Sequence, residues 1–298
     1  MTRPTRGAAA ALALAVVLAA CSDDAAGPDA PGPDARPDAP PGCTRPALDA
    51  PWLPSLLSNA VSQLAASPRF LVTQRAAART FLADQLAALG WVPELHDYPG
   101  GRNVHATIPA TLGDGPRVVV GAHFDTVDGS PGANDNASGA AVVLAVARYL
   151  TEVPCRTAPV TVAFFDQEEG GLLGARTFAA TLSPAAVRAV HTIDQVAWDA
   201  DGDRRFELEL PTAALEAEWR AAAATVGAGL GVTSTAGTDH EAFRDAGFAA
   251  AGLTEEYVGG DTTPHRHTAA DTFATVDTAY LALAARLAAQ VVLDEVSP

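Results

Sequence analysis

Five residues of metal-binding types lie at the ends of predicted strands and in the loops of this chain. They are His123, Asp135, Glu169, Asp194 and His267, which are two imidazoles and three carboxylates. Nitrogen and oxygen ligands without cysteine suit Zn²⁺, with Mn²⁺ or Co²⁺ as alternatives. Five ligands are too many for one catalytic zinc ion, but they suit two ions that share a bridging carboxylate. The residue types therefore predict a site for two metal ions.

The first ligands flank a strand, a loop and a helix that follow one another in the chain. Residues 117–121 read Arg-Val-Val-Val-Gly, which is typical of a strand buried on both faces. His123 and Asp125 follow this strand, and Asp135 precedes a helix predicted over residues 140–150. Open α/β sheets leave a crevice at the carboxyl ends of their strands, so we expect the site there.

Further carboxylates follow the next two predicted strands. The strand over residues 160–165 is followed by the adjacent pair Glu168 and Glu169, whose side chains should point in different directions. One can then bind a metal ion while the other faces a water molecule, although a solvated acidic turn would show the same residues. The following strand ends at Asp194, and His267 lies in a polar loop before the last predicted helix.

The periodicity of the whole chain predicts one α/β domain over residues 44–298. Short β-α-β connections imply parallel neighbours with right-handed crossovers. We expect three αβα layers around a mixed, mostly parallel sheet. The predicted helices span 48–65, 73–89, 140–150, 172–181, 213–226, 239–246 and 278–293, and the predicted strands span 92–96, 103–108, 117–122, 160–165, 189–193, 205–210 and 248–253.

Composition excludes some partners. The chain has 298 residues, of which 48% are hydrophobic, so a large core can form. The net charge of −16 disfavours nucleic acids and anionic lipid surfaces, because both need clustered Lys and Arg. Three cysteines are too few for a disulfide scaffold.

The N-terminus is predicted to be a targeting segment. Arg3 and Arg6 precede an apolar run over residues 8–20 that is too short to span a bilayer. The sequence Leu-Ala-Ala-Cys ending at Cys21 resembles the lipobox of bacterial lipoproteins. That resemblance implies a signal peptide over residues 1–20 and a lipid on the Cys21 sulfur; an ordinary secretory signal is the alternative.

A tether is predicted between the signal and the folded domain. Residues 21–43 are rich in Pro, Asp and Ala and cannot form a core. The tether would hold the domain off a membrane of the cell envelope, and without a lipid the protein would be secreted. In either case the exported domain can form disulfides. If Cys21 carries a lipid, Cys43 and Cys155 remain, and we expect them to form a disulfide rather than two free thiols.

Five motifs carry a resemblance to a known family. His-x-Asp, Asp-Asn-x-Ser-Gly, Glu-Glu-x-Gly-Leu-Leu-Gly, Ile-Asp and His-Thr-x-x-Asp-Thr occur in this order over roughly residues 70–290. Together they resemble the exported di-zinc aminopeptidases of metallopeptidase family 28. Residues 101–104, Gly-Arg-Asn-Val, also resemble the Gly-x-Asn-Val hairpin of that family.

The resemblance implies a role for each ligand. Asp135 would bridge two zinc ions, with His123 and Asp194 completing one position. Glu169 and His267 would complete the other position. The peptide bond that follows Asp135 is cis in such enzymes.

The resemblance also implies two further roles. Glu168 would be the general base, taking a proton from the attacking water and returning it to the leaving amine. Asp125 would hydrogen-bond to His123 and orient it, as ligating histidines require. Many relatives carry an aromatic residue where this chain has Arg266. We expect Arg266, or Tyr257 from the preceding loop, to stabilise the oxyanion, with a surface charge as the alternative for Arg266.

Other polar residues are expected to be structural. Asp239 and His240 resemble a Ser-Asp-His stretch of the family and should pack beside the site. We expect surface or hydrogen-bonded histidines at positions 96, 105 and 191, and a turn at the acidic residues 199, 201 and 203.

The predicted function is that of a monomeric, metal-dependent exopeptidase that removes N-terminal residues from peptides. A carboxypeptidase or another amidohydrolase on the same scaffold is the alternative. Glutaminyl cyclases lack the second, histidine-containing metal position, whereas this chain has His123. A non-catalytic binding domain or a structural lipoprotein would not need Glu168 beside Glu169.

Overall fold

The computed structural model describes residues 40–298. The predicted signal peptide, Cys21 and most of the tether lie outside the described residues. The helices are α1 (Leu53–Leu64), α2 (Val72–Ala88), α3 (Gly139–Thr151), α4 (Leu173–Ala179), α5 (Ala213–Val226), α6 (Asp239–Asp245) and α7 (Thr278–Val296). The strands are β1 (Glu94–Tyr98), β2 (Gly101–Ile108), β3 (Arg117–His123), β4 (Val160–Phe165), β5 (Val187–Ile193), β6 (Arg205–Glu209), β7 (Gly229–Thr233) and β8 (Ala250–Thr254).

One sheet joins the eight described strands in the order β1-β2-β4-β3-β5-β8-β6-β7. The central strands β4, β3, β5 and β8 are parallel, as are β6 and β7. The pairs β1–β2, β2–β4 and β6–β8 are antiparallel. The predicted α/β class with a mixed, mostly parallel sheet is therefore confirmed.

The valines of β3 face two different cores, as their run predicts. Val118 and Val120 pack into a large cluster with residues of α1, α2, α3, α5 and α7. Val119 points to the other face of the sheet, into a smaller cluster with residues of α4 and α6. All three valines are fully buried. Because successive side chains of a strand alternate between faces, this pattern produces three layers.

The start of α1 and the strand β7 differ from the predictions. The helix begins at Leu53 rather than at residue 48, because Pro51 would interrupt a helix that started earlier. Pro54 lies in the first helical turn, where its missing N–H has no helical partner to lose. Strand β7 was not predicted, since Gly229 and Gly231 lower the strand propensity of this short edge segment. The remaining predicted elements are present with shifted ends.

A disulfide holds the beginning of the domain. Cys43 and Cys155, which are 112 residues apart in the sequence, form a disulfide. Their Cα atoms are 5.2 Å apart, which is typical of a disulfide. The bond joins the segment before α1 to the loop after α3. Within residues 40–298, no helix has both the length and the apolar character to span a bilayer.

Candidate metal centre

The candidate ligands come from the carboxyl ends of two adjacent parallel strands and from three connecting segments. His123 is the last residue of β3, and Asp194 directly follows β5. Glu169 lies in the turn after β4. Asp135 lies in a turn before α3, where its backbone angles are not helical, and His267 belongs to the loop between β8 and α7. The structure brings all five predicted ligands together.

Three of these residues form a buried group, here called the inner triad: His123, Asp135 and Asp194. The Nε2 atom of His123 lies 3.3 Å from Asp135 Oδ1 and 3.4 Å from Asp194 Oδ1. The exposed fractions of these residues are 1%, 3% and 6%. The sheet fixes His123 and Asp194, whereas Asp135 is fixed by the turn before α3.

Asp135 also belongs to a second group, here called the outer triad, with Glu169 and His267. The Nε2 atom of His267 lies 3.1 Å from Asp135 Oδ2 and 3.1 Å from Glu169 Oε2. The two oxygens of Asp135 thus face different triads, which is the arrangement of a bridging carboxylate. The His267 side chain is 37% exposed, so the outer triad opens to solvent.

The spacing and the unpaired atoms of both triads fit zinc. Bonds of about 2.0–2.2 Å at tetrahedral angles place neighbouring ligand atoms roughly 3.3 Å apart. The distances between nitrogen and oxygen atoms in the triads lie close to that value. Among the described residues, five buried atoms of the triads have no hydrogen-bond partner; besides His123 Nδ1 they are His123 Nε2, Asp135 Oδ2, Glu169 Oε1 and Asp194 Oδ1. Buried polar atoms are rarely left in this state, and cations would satisfy them.

The electrostatics of the site also favour cations. Burial, together with nearby carboxylates, raises the pKa of Glu168 to about 10 and that of Glu169 to about 7. Burial alone would lower the pKa of His123, but Glu168 and Asp194 outweigh it and hold this pKa well above the usual value. Carboxylates crowded in this way repel one another, and a divalent cation would relieve the repulsion.

Asp125 supports both glutamates through their backbone. The N–H group of Glu168 donates to Asp125 Oδ1 at 2.9 Å, and the N–H group of Glu169 donates to Asp125 Oδ2 at 3.2 Å. Asp125 Oδ1 lies 3.5 Å from His123 Nδ1, which has no hydrogen-bond partner among the described residues, so the expected hydrogen bond between Asp125 and His123 is not formed. The Glu168 side chain reaches within 3.9 Å of His123 Nε2. Asp125 thus fixes the turn that carries both glutamates.

A second aspartate holds the turn that carries Asp135. Asp271 accepts hydrogen bonds from the N–H groups of Asn134 at 2.8 Å and Asp135 at 3.0 Å. The peptide bond between Asp135 and Asn136 is cis, as the resemblance implied. Asn134 Nδ2 donates to buried Glu255 at 2.7 Å. Sequence reasoning placed Asp271 only within a motif and did not predict this role.

Arg69 holds the loop between β3 and Asp135 and was also missed. Its guanidinium is buried and donates to the carbonyl oxygens of Phe124, Leu64, Pro131 and Gly132 at 2.5–2.8 Å. Burial lowers the pKa of Arg69 to about 10. A Cβ atom at residue 132 would come within 2.7 Å of the guanidinium, so this crossing needs glycine. A lone arginine before a helix carries no sequence signal for such a role.

The two residues expected at the oxyanion lie together beside the outer triad. Arg266 Nε is 3.4 Å from Asp135 Oδ2, and the Arg266 guanidinium carbon lies 5.8 Å from the centre of the Tyr257 ring. The Arg266 side chain is 39% exposed. Buried Glu207 accepts hydrogen bonds from the N–H groups of Val258 and Gly259, which fixes the loop that carries Tyr257.

The remaining polar residues are placed away from the triads or behind them. His191 lies 3.1 Å from Glu295 and accepts a hydrogen bond from the Trp219 indole, so it is the hydrogen-bonded histidine that was expected. His240 contacts Thr238 at 2.7 Å. Asp239 is buried, and burial raises its pKa to about 8.

Two further histidines and the acidic segment 199–203 also lie away from the triads. His96 lies 3.1 Å from Asn103 Nδ2, and the ring of His105 packs against Phe178 at 5.2 Å. The acidic segment around Asp201 and Asp203 makes short-range hydrogen bonds typical of turns.

An α/β sheet with two triads of metal-binding residues around one shared carboxylate at its strand ends has the form of a two-metal centre. The sequence profile of Peptidase family M28 matches residues 103–292 of this chain. The chain belongs to this family. The match includes every residue of both triads.

Individual proteins and structures are similar over parts of the chain. The "Probable lipoprotein aminopeptidase LpqL" of Mycobacterium tuberculosis is 41% identical over 73 residues, 24% of this chain and 15% of that protein. An aminopeptidase structure from Aneurinibacillus sp. strain AM-1 has a TM-score of 0.75 at 16% identity and covers 82% of this chain and 94% of its own. The structure of BSAP, a zinc aminopeptidase from Bacillus subtilis, has a TM-score of 0.62 at 27% identity; the match covers 66% of this chain and 50% of that one. The chain spans less than a third of the length of the curated relatives that it matches.

Proposed function

We propose that this protein is a metal-dependent aminopeptidase that holds two zinc ions. The observation that carries the proposal is the division of Asp135 between two triads, with Glu168 beside them. The inner triad would hold one ion and the outer triad the other. Bound zinc ions lower the pKa of water and polarise a carbonyl group. The names of two similar structures, both aminopeptidases and one a zinc enzyme, support the same conclusion.

Each side chain around the triads has a separate role in hydrolysis. Glu168 accepts the proton of the attacking water and returns it to the leaving amine, since its carboxylate lies 3.9 Å from His123 Nε2, the atom that faces the inner metal position, without belonging to either triad. Asp125 holds Glu168 and Glu169 in position through their backbone. Arg266 and Tyr257, at the open side, stabilise the oxyanion.

Two chromogenic compounds test the proposal. Leucine p-nitroanilide has a free amino group, and its N-acetylated form does not. We expect the full chain to hydrolyse only the free compound, to lose this activity with a chelator and to regain it with zinc. Equal hydrolysis of both compounds would exclude an aminopeptidase, and activity in excess chelator would exclude a metal-dependent one. Cleavage of N-acetylated peptides from their C-terminus would instead indicate a carboxypeptidase.

We also propose that the protein is exported and held at the bacterial cell envelope by a lipid on Cys21. A signal peptide over residues 1–20 and a tether over residues 21–43 would precede a monomeric catalytic domain over residues 44–298. The lipobox-like sequence and the printed name of the mycobacterial relative support this. Expression with radiolabelled palmitate tests it: wild type should take up the label and Cys21→Ala should not. Equal labelling, or none in wild type, would contradict the anchor.

A further inference from the structure

A pocket of about 310 Å³ near the end of β4 contains three arginines in an otherwise acidic chain. The arginines are Arg75, Arg79 and Arg102, and the carboxylates that line the same pocket are Asp97 and Asp166. Three guanidinium groups face two carboxylates, so the pocket carries excess positive charge. A pocket of this kind attracts an anion.

One buried carboxylate, Asp166, holds the guanidinium groups of Arg75 and Arg79 in place, whereas the guanidinium of Arg102 is paired with Asp97. Asp166 Oδ1 lies 2.7 Å from Arg75 Nε, and its Oδ2 lies 3.2 Å from Arg79 Nη1. The backbone N–H of Arg102 also donates to Asp166 Oδ2, and the Tyr98 hydroxyl donates to the Asp166 carbonyl at 2.6 Å. The pocket is therefore organised before any ligand binds, which lowers the entropy cost of binding.

In the guanidinium of Arg79, the Nε and Nη2 donors make no hydrogen bond to the described residues. Within the part of the chain that the structure describes, its contacts use Nη1 alone, with the carbonyl of Arg102 and with Asp166. Burial and the charges of Arg102 and Arg75 lower the pKa of Arg79, so the guanidinium groups repel one another. A carboxylate can accept two parallel N–H bonds from one guanidinium and would reduce this repulsion.

The arginine pocket adjoins the candidate active site. A cavity of about 150 Å³ shares Arg75 with it and is lined by Phe70, Val127 and three carboxylates, which are Glu169 of the outer triad, Asp125 and Asp128. Asp166 precedes Glu169 by three residues, so their Cα atoms are at most about 11 Å apart. At about 3.3 Å per residue, an extended peptide of up to three or four residues spans such a distance.

We infer that the pocket of Arg75, Arg79 and Arg102 binds the C-terminal carboxylate of a short peptide whose N-terminal residue lies at the two triads. The inference rests on the proposed aminopeptidase function and specifies its substrates. They are free peptides of two to four residues. An apolar side chain after the cleaved bond would lie against Phe70 and Val127.

Three substrates test this with the zinc-loaded full chain: trileucine, its C-terminal amide and leucine p-nitroanilide. We expect kcat/KM for the free acid to exceed that for the amide by about tenfold or more, since hydrogen bonds to charged groups are strong. Arg79→Gln and Arg102→Gln should reduce this ratio to about two, mainly through KM, and Arg79→Lys should retain part of it. Hydrolysis of the p-nitroanilide, which has no carboxylate, should stay unchanged. Arg220→Gln, at an exposed i,i+4 pair with Glu216, is the matched control and should keep the full ratio.

Other outcomes would overturn the inference. It fails if wild type does not prefer the free acid, or if the preference survives in both Arg79→Gln and Arg102→Gln. Equal turnover of trileucine and of Leu-Leu-Glu amide would assign the pocket to side-chain carboxylates instead of the C-terminus.

Calorimetry separates this inference from the proposed function. If wild type hydrolyses no peptide, the proposed function fails, yet binding of trileucine and its amide to wild type and to Arg79→Gln is still measured. Tighter binding of the free acid that depends on Arg79 would support the pocket alone. Equal binding of acid and amide would overturn it. Thermal unfolding of each variant shows whether the fold is intact.

Discussion

The inner and outer triads share Asp135 but are built in different ways. The inner triad takes His123 and Asp194 from the ends of β3 and β5, which are adjacent parallel strands. The outer triad takes Glu169 and His267 from two loops, and the His267 side chain is 37% exposed. The sheet thus fixes one half of the site, and the loops form the half that meets solvent and substrate. From this contrast we expect that, of the two proposed ions, the inner one is held more firmly and the outer one exchanges more readily.

Among the predicted effects, the largest is the fall in kcat on replacing Glu168, which lies beside the inner and outer triads. Glu168→Gln keeps the shape of the side chain but removes its ability to accept a proton. We expect kcat for leucine p-nitroanilide to fall by about 10²–10⁴-fold with zinc binding retained, as for loss of a general base. Glu152→Gln, at an exposed pair with Arg148, is the control. A kcat within threefold of wild type would remove Glu168 from the chemistry.

Two histidine variants compare the halves directly. His123→Ala leaves Asp135 and Asp194 buried without their imidazole partner, and breaking a buried pair typically costs about 3–5 kcal/mol. His267→Ala removes an exposed partner, which is worth about 1 kcal/mol or less. Urea unfolding in excess chelator should show this difference in the free energy of unfolding. Equal losses would mean that the burial difference has no energetic consequence.

Chelator kinetics would sharpen the comparison further. The outer ion should leave roughly tenfold faster than the inner ion, because the outer triad opens to solvent while release from the inner triad requires local opening. Zinc release followed with a chromogenic chelator should therefore show two phases in wild type. The fast phase should be absent in His267→Ala. A single phase in wild type would contradict the predicted asymmetry.

The smallest expected effect concerns the loop at the open side. Glu207→Gln weakens the hydrogen bonds that hold Val258 and Gly259 and so loosens Tyr257. Loss of about 1 kcal/mol of binding would raise KM roughly fivefold with kcat nearly unchanged. Steady-state kinetics measure this, with Glu218→Gln at the surface pair with Arg188 as the control. A large fall in kcat with constant KM would show that Glu207 serves the inner half instead.

The positions of His123 and Asp194 could be predicted because strand ends have a strong sequence signal, whereas Asp135, Glu169 and His267 were chosen by residue type and by the resemblance to the family. The valine run of β3 locates the carboxyl edge, and His123 follows it directly. The same logic places Asp194 after β5. The pair Cys43 and Cys155 could be predicted because few cysteines remained. In these cases local patterns were enough.

The supports of the site could not be predicted, because they join distant loops. Asp271 accepts hydrogen bonds from backbone groups 136 and 137 residues away, and no periodicity marks such a pair. Arg69 donates to backbone carbonyl oxygens, which every residue type has, so its partners could not be recognised from their residue types. Strand β7 escaped prediction because its pairing with β6 overrides the low strand propensity of its glycines.

A zinc titration of the chelator-treated full chain tests the central claim most directly. Bound zinc and hydrolysis of leucine p-nitroanilide would be followed together in wild type and in Asp135→Asn. The two triads predict that wild type binds two ions per chain and reaches full activity only with the second, and that Asp135→Asn loses tight binding of both. Full activity with one ion, or two tightly bound ions in Asp135→Asn, would contradict a site built around one shared carboxylate.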